Sequence, residues 1–579
     1  MLGRLLQDLL GVRTAPEASN EEGIRRWQAG DLVPAERAFR AALKEKPDYA
    51  AACSNLGMVL VEQRRFYEGL AELNRAIVMD PRHVGAHVNL ANVLHIDGKL
   101  ELSLEHYNEA LRIDPDCTAA RVNMLKPLMD VCEWQAVQSR IDALLARYRA
   151  DPAADWAEDI TPFVAQLLPF PPGFHKTLAV HHSGKLTAAY AASRAGIAAE
   201  RPARPSGRIR IGYASGELKN HAVGHLTAGL FALHDRSRFE VTAYSWGADD
   251  GSDYRKRIVA GCDRFIDVAG ESFEQTARRI ARDGIDVLVN MNGYSGGTRN
   301  EIFALRPAPV QIQWLGYPGT MGADFIDYLI ADEIVLPRSS DGDFTEAIAR
   351  LPDCYQVNDN AQAIALDTPS RAACGLPDTG VVYCCFNQSY KIEPVRFAAW
   401  MRVLAAVPGS VLWLLGPNRL VEQNLRREAE RLGIDPARLV FAASMAKAAH
   451  LVRHRHVDLF LDTRVINAGT TASDALWAGA PVLTCPGEIL GARVAASMMH
   501  ALGMPELVAA DEPDYEARAI AYGRDPDALA ALKARVAVQR GRAPLFDTAL
   551  FARRFEAALQ IMVQRSRSGE SASTFSVPG

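Results

Sequence analysis

The sequence predicts an α/β protein in two parts: an all-α array of repeats, then two doubly wound α/β domains in tandem. Two observations carry that expectation. Along the first stretch of the chain, residues of fixed type recur every 34 positions. From Arg208 onward, short apolar runs alternate with helix-period stretches, the pattern of a mostly parallel sheet covered by helices.

The repeat is read from six columns. Pro47, Pro81 and Pro115 are 34 residues apart, as are Asn55, Asn89 and Asn123, and Ala42, Ala76 and Ala110. Leu32, Phe66 and Leu100 form a fourth column. Gly23, Gly57 and Ala91 hold a small position, and Phe39, Leu73 and Tyr107 a bulky one. Small residues let paired helices approach, large ones fill the space between them, and Pro ends each second helix. This is the tetratricopeptide pattern. It runs over residues 20–147, and its last unit, with Asn123 and Trp134, is degenerate as terminal repeats often are. Such repeats stack into a superhelix with a concave groove. The groove suits a protein partner or substrate; dimerisation or a spacer role fits the same pattern.

The 579 residues suggest roughly three to four domains. Composition is ordinary for globular protein, 49% hydrophobic and 23% charged. A net charge of −5 and a pI near 6.3 provide no basic field for nucleic acid. No run has the ~18 apolar residues of a membrane span. The N-terminal segment, 1–19, is amphipathic, with Arg4 and Asp8 interrupting its leucines, and lacks the apolar core of a secretory signal. Nine scattered cysteines without a C-x-x-C pair argue against disulfides or structural zinc. A reduced, cytoplasmic protein is expected.

A Pro-containing, partly helical connector is expected over 148–205, with no evident chemistry. The first α/β domain spans 206–365, with strands RIRIGYAS, FEVTAYSW, IDVLVNM, VQIQWLGY and DYLIAD. The second spans 366–545, with VVYCCFN, SVLWLLG, RLVFAA, DLFLDT and APVLTC. Tandem domains of this kind place a cleft between their strand C-terminal ends. Residues 546–579 read as a helix and a Ser-rich tail expected to be disordered.

Candidate residues cluster after strands. His221 and His225 follow the first, four residues apart. A metal pair lacks a third ligand; a cleft-facing acid/base and a helix-entry histidine remain open. Asn290, Asn292, Gly293 and Tyr294 end another strand and suit sugar hydroxyls or a plain turn. Trp314 to Phe325 is a Gly/Pro turn suited to a tight crossing near a ligand or to a plain turn. Gln388 and Lys391 follow VVYCCFN; the lysine is a diphosphate counter-ion or a solvated side chain. Lys447 and His450 precede DLFLDT, and Arg453 to His456 reads as a solvated helix face. Asp341–Asp343 and Asp525–Asp527 are D-x-D strings in turn-like sequence and read as turns.

The stretch from Asp458 to Ala496 organises the second domain. It reads strand, loop, helix, strand, turn and helix. Gly469, Thr470 and Thr471 open the first helix, whose free N–H groups suit a diphosphate. Thr471 with Asp474 resembles a capping box, which needs no ligand.

These stretches together resemble the O-linked N-acetylglucosamine transferase family (glycosyltransferase family 41), including its SPINDLY-type members. The matching text is GYASGELKNHAVGHL, VNMNGYSGGTRNEIFALRPAPVQIQWLGYPGT, FNQSYKIEP with VLWLLGPN, and LDTRVINAGTTASDALWAGAPVLTCPGE with RVAAS. The resemblance covers about 206–515, and the upstream repeats fit the family layout.

It implies a GT-B fold and an inverting, metal-independent transfer of N-acetylglucosamine, or a related hexose, from a UDP-sugar such as UDP-N-acetylglucosamine to protein Ser or Thr, with no cofactor. By motif match, Lys391 contacts the donor diphosphate. Gln388 is a donor contact. Thr470, Thr471 and Asp474 surround diphosphate and ribose, and Lys447 and His450 the ribose and base. His221 is an active-site histidine positioning sugar or acceptor. Asn292, Tyr294 and Asp283 are acceptor- or sugar-side candidates. The implied partner is a protein or peptide along the repeat groove, with a homodimer also open.

Three departures stand out. Members usually carry His directly before the Thr pair, where this chain has Gly469, so one donor contact is missing. Asp283 and Asp286 stand where animal members have a histidine nearby. The array is short, which implies narrower substrate selection. A GDP-fucose-dependent O-fucosyltransferase and an inactive adaptor are the alternatives.

Overall fold

The computed structural model describes residues 14–153, 155–203, 207–416 and 418–579, so most of the 1–19 segment lies outside the described residues. The chain forms two compact units: residues to 127 with 267–279, and 128–266 with 280–579.

The first unit is the repeat array. Helices Ala15–Gln28 and Leu32–Glu45, Ala50–Glu62 and Phe66–Met79, Val84–Ile96 and Leu100–Ile113 form three pairs. The columns do what their sizes require. A Cβ at Gly23 would lie 2.5 Å from the Phe39 ring, and one at Gly57 would lie 2.7 Å from Leu73. In the third pair, Ser103 Oγ donates to the Ala91 carbonyl at 2.8 Å. The polar column links successive pairs: Asn55 Nδ2 donates to Asn20 Oδ1 at 3.1 Å, and Asn89 Nδ2 to Ser54 Oγ at 3.0 Å.

The degenerate last repeat divides. Its long helix, Trp134–Ala150, belongs to the second unit. There Trp134 Nε1 donates to the Ile392 carbonyl at 3.0 Å, and Asn424 Nδ2 to the Val131 carbonyl at 2.7 Å. The connector contains helices Pro162–Gln166 and Pro172–Ala198.

The second unit holds two sheets, with parallel pairing from β13 to β2 in the first and throughout the second. The first contains β1 (Ile209–Ser215), β2 (Phe239–Ser245), β3 (Arg264–Asp267), β4 (Val287–Asn290), β5 (Val310–Gln313), β6 (Tyr328–Asp332) and β7 (Ala347–Leu351). The second contains β8 (Val382–Cys385), β9 (Val411–Leu415), β10 (Leu439–Ala442), β11 (Leu459–Leu461) and β12 (Val482–Leu483). A last strand, β13 (Phe575–Ser576), returns to the first sheet. The orders are β13-β7-β6-β5-β4-β1-β2-β3 and β10-β9-β8-β11-β12. Ile211 pairs with Val241 on one side and Val287 on the other, so direction reverses beside β1; it reverses again beside β8. Those switch points are where doubly wound sheets form a ligand crevice. Strands buried on both faces explain runs such as VYCC and LFL.

All ten expected strands are present, with three more among the described residues. The tail expected to be disordered is ordered. Val577 N donates to the Arg350 carbonyl at 2.8 Å, and Ile348 N to Thr574 Oγ1 at 3.1 Å. Phe575 packs against Tyr328, and Arg565 lies over its ring. The tail thus closes an otherwise open sheet edge. The preceding helix, Thr548–Arg567, packs on the first sheet, where Phe555 stacks on Tyr213 and lies tilted against Trp314.

Candidate active site

A cavity of about 450 Å³ opens between the carboxyl ends of the two sheets. Glu217, His221, Ala222 and Val223 line it after β1, Ser295 and Gly296 after β4, and Leu315, Gly316 and Pro318 after β5. The second sheet contributes Tyr390 and Lys391 after β8, and Ile466, Asn467, Gly469 and Thr470 after β11. Phe163 and Leu167 of the connector complete an apolar side, so that segment has a place in the site that its sequence did not show.

The Gly/Pro turn is the expected tight crossing. A Cβ at Gly316 would sit 1.8 Å from the Met291 carbonyl oxygen, so the β4 and β5 loops meet backbone to backbone. Beside it, Leu315 has φ +76, a left-handed conformation that the surrounding packing holds at the cavity wall.

Lys391 ends the short turn after β8, and Nζ donates to the Asn467 carbonyl at 2.9 Å. Burial lowers the ammonium's pKa, and Asp462 partly offsets this. Asp462 itself orders the loop after β11. It accepts from Ala468 N at 2.7 Å, Thr463 N at 2.8 Å and Thr484 Oγ1 at 2.7 Å, while burial lifts its pKa to about 6. Gln388 is solvent-exposed at the start of the Lys391 turn.

Helix Thr470–Trp477 begins at Gly469, which provides no side-chain cap. The expected capping box is not formed. Thr471 Oγ1 donates to Asn387 Oδ1, and Asn387 Nδ2 to Thr463 Oγ1 at 2.8 Å. Asp474 is turned to Lys447, with Nζ 2.6 Å from each carboxylate oxygen. The helix start therefore presents uncapped N–H groups at the cavity beside Lys391.

Lys447 also approaches His225 Nδ1 at 3.4 Å, across from the first domain. His225 rests on Tyr254, with ring centroids 4.4 Å apart, and meets Asn220 Oδ1 at 2.7 Å, so His221 and His225 do not act as a pair. His450 meets Arg453 at 2.5 Å through Nδ1 and packs on Phe386 and His454; burial pushes its pKa far down. Arg453 and His454 are buried, not a solvated face as expected. Both D-x-D strings are turns or caps: Asp341 lies in a short 3₁₀ turn and pairs with Arg350, and Asp525 caps helix Pro526–Gln539.

His221 caps helix Ala222–Thr227, and its Nδ1 lies 3.3 Å from Glu217 Oε2. The ring is 43% exposed on the cavity wall, yet enough protein surrounds it that burial lowers its pKa to about 4, with Lys219 adding to the effect. Glu217 is 12% exposed, and burial raises its carboxyl to about 7.

The three acceptor-side candidates are not among the residues that line the cavity. Asp283 precedes β4 and so lies at the far end of that strand from the cleft, bonded to Tyr244 at 2.7 Å and Arg264 at 3.0 Å. The Tyr294 hydroxyl donates to the Met321 carbonyl at 2.8 Å. Asn292 is buried; it accepts from Ser215 Oγ at 2.7 Å and Gly216 N at 3.0 Å. Of the expected site residues, Lys391, His221 and Thr470 line the cavity. Glu217 was missed, although its place four residues before His221 was a usable signal.

Comparison with known proteins agrees with this geometry. The model of glycosyl transferase family 41 matches residues 131–368 and 362–555, and a tetratricopeptide model matches 20–66 and 54–116. The chain is 35% identical over 470 residues to an Arabidopsis thaliana protein named as a probable UDP-N-acetylglucosamine–peptide N-acetylglucosaminyltransferase SEC, covering 78% of this chain and 48% of that one. It is 31% identical over 556 residues to the Caenorhabditis elegans UDP-N-acetylglucosamine–peptide N-acetylglucosaminyltransferase, covering 76% and 48%. The chain thus spans about half the length of the curated relatives it matches. A variant of the Thermobaculum terrenum O-GlcNAc transferase superposes with a TM-score of 0.67 at 27% identity, covering 96% of this chain and 98% of that one.

Proposed function

The chain belongs to glycosyl transferase family 41, and from that membership we propose that it transfers N-acetylglucosamine from UDP-N-acetylglucosamine to Ser or Thr of a protein, with inversion and without a metal ion. One observation carries the reading: Lys391 and the uncapped start of helix Thr470–Trp477 line the same cavity as His221, on opposite walls. The acceptor oxygen bonds to the anomeric carbon as that carbon's bond to the diphosphate breaks. Negative charge develops on the leaving oxygen. Lys391 and the helix N–H groups meet that charge, which leaves no role that requires a metal. An acceptor entering from the first-sheet wall attacks opposite the leaving group, as inversion requires.

The relatives' names supply the donor, and the repeat unit supplies a surface for a protein or peptide acceptor. A second reading is favoured by Gly469: without the usual histidine, the donor can differ, and GDP-fucose is the alternative. The test is binding of UDP-N-acetylglucosamine, UDP-glucose and GDP-fucose to the wild type and to Lys391→Ala. Selective binding of the first, weakened about 10- to 100-fold by the substitution, is expected for a charge-assisted contact. Preference for GDP-fucose would carry the second reading. Binding of none would leave an adaptor.

A further inference from the structure

Three loops of the second sheet meet around one buried amide. Asn387 follows β8 and precedes Lys391 in the same turn. Its Nδ2 donates to Thr463 Oγ1 at 2.8 Å, and its Oδ1 accepts from Thr471 Oγ1. Thr463 Oγ1 donates in turn to the Ile466 carbonyl at 2.7 Å. Asn467 Nδ2 donates to the Thr463 carbonyl at 2.7 Å, and Asn467 N to the Gly491 carbonyl at 2.8 Å. Those bonds orient the Asn467 carbonyl, which accepts from Lys391 Nζ at 2.9 Å. The path that leaves Asn387 thus returns to the Lys391 turn, with a branch to the helix start at Thr471.

The direction of each bond follows from the hydrogens present. A threonine hydroxyl has one to give. That of Thr463 goes to the Ile466 carbonyl, so Thr463 Oγ1 accepts from Asn387 and the amide nitrogen must face it. The amide oxygen then faces Thr471, whose hydroxyl must be the donor. The Thr471 hydroxyl hydrogen is therefore used inside the protein. For an anion Thr471 retains its main-chain N–H: Ser473 N bonds back to the Gly469 carbonyl at 3.0 Å, and the N–H groups before it in the helix have no helical carbonyl to reach.

We propose that Asn387 is a positioning residue of the transfer, and that the Thr471 hydroxyl acts through Asn387 and not on the donor. The inference rests on the transferase reading above. Lys391 and the N–H groups at the start of helix Thr470–Trp477 come from different loops, yet both must meet the charge on the leaving diphosphate. Asn387 bonds to both sides and fixes their separation. It is not among the residues that line the cavity, so it acts through those that do. A displacement of about 1 Å in such a group can cost roughly 100-fold in rate.

The test is calorimetric titration with UDP, together with single-turnover transfer, for wild type, Asn387→Ala, Thr471→Val, Thr471→Ser and the double variant of the first two substitutions. Asn387→Ala and Thr471→Val are each expected to weaken UDP about 10-fold and to slow transfer about 10- to 100-fold at saturating donor. Thr471→Ser keeps the hydroxyl and is expected to recover most of both losses. The double variant is expected to be no worse than the worse single one, because the hydroxyl has already lost its partner. Losses that multiply in the double variant would put the Thr471 hydroxyl on the diphosphate and overturn the inference. So would wild-type UDP affinity in folded Asn387→Ala and Thr471→Val, the result of a bond that only stabilises the fold. If Asn387→Ala does not fold, Thr463→Val removes the other partner of the same amide and takes its place in the cycle. UDP binding with the expected pattern but no transfer would keep the positioning role and sink the transferase reading alone. Transfer with multiplying losses would sink the positioning role alone, and no UDP binding by wild type would sink both.

Discussion

The Lys447 ammonium lies 2.6 Å from both carboxylate oxygens of Asp474, 27 residues away, and the pair is almost sealed, with 15% and 5% of the side chains exposed. Family resemblance makes both residues separate donor contacts; the structure makes them one unit. Burial raises the Asp474 carboxyl's pKa, and Lys447 lowers it.

Lys447→Met therefore strands a buried carboxylate. It is expected to destabilise the protein by about 3 kcal/mol at pH 7, whereas Lys447→Met with Asp474→Leu costs far less, because no unpaired charge remains. Urea denaturation of the two single variants and the double variant checks this. Equal losses in Lys447→Met and the double variant would contradict it.

Glu217 links stability to pH. Its folded pKa is raised from 4.5 to about 7. The stability it contributes is fully present below about pH 4, and it is lost as pH rises through about 7. Glu217→Gln is expected to match wild type near pH 4 and to exceed it at pH 8, by at most about 3.5 kcal/mol at roughly 1.4 per unit. Melting temperatures at the two pH values read the crossover. A constant difference between them would contradict it.

A side chain at Gly469 fits once Gln356 gives way by a few tenths of an ångström. The glycine's φ is −97, and an added Cβ would meet Gln356 Oε1 at 3.3 Å and Val494 Cγ1 at 3.8 Å. Gly469→His is expected to fold, at a cost near 1 kcal/mol, and to bind a nucleotide diphosphate several-fold more tightly through an added charge-assisted bond. Calorimetric titration with UDP measures the change. Weaker binding would show that the glycine is itself part of the site.

The C-terminal strand covers β7. Removing residues 570–579 strips the Arg350 carbonyl and the Ile348 N–H of their partners and uncovers Tyr328. A loss of about 2 kcal/mol and concentration-dependent association through the bared edge are expected. Light scattering and thermal melts of the truncated chain decide it; a monomer of unchanged melting temperature would contradict the role.

Much of the fold is legible because it follows from local periodicity. The Gly23–Phe39 and Gly57–Leu73 contacts are the size columns seen directly. Buried parallel strands read as apolar runs, so ten were recognisable; β3 is half-exposed and only four residues long, and β13 is two residues long and exists because β7 offers it an edge. The site is less legible because its polar partners are distant in sequence. Lys391, His221 and Thr470 follow strands and so reach the cavity. Tyr294 is used by Met321, and Asp474 by Lys447, pairings no spacing rule contains. Asp283 was decidable: it precedes β4, and parallel strands carry their sites at the other end.

The central claim is that Lys391 meets the charge that develops on the leaving diphosphate. It is tested most directly by the single-turnover rate of sugar transfer from UDP-N-acetylglucosamine in wild type and Lys391→Ala at saturating donor. A fall of more than about 100-fold, or about 2.7 kcal/mol of barrier, is predicted. A rate equal to wild type at saturation would contradict the claim and remove Lys391 from the chemistry.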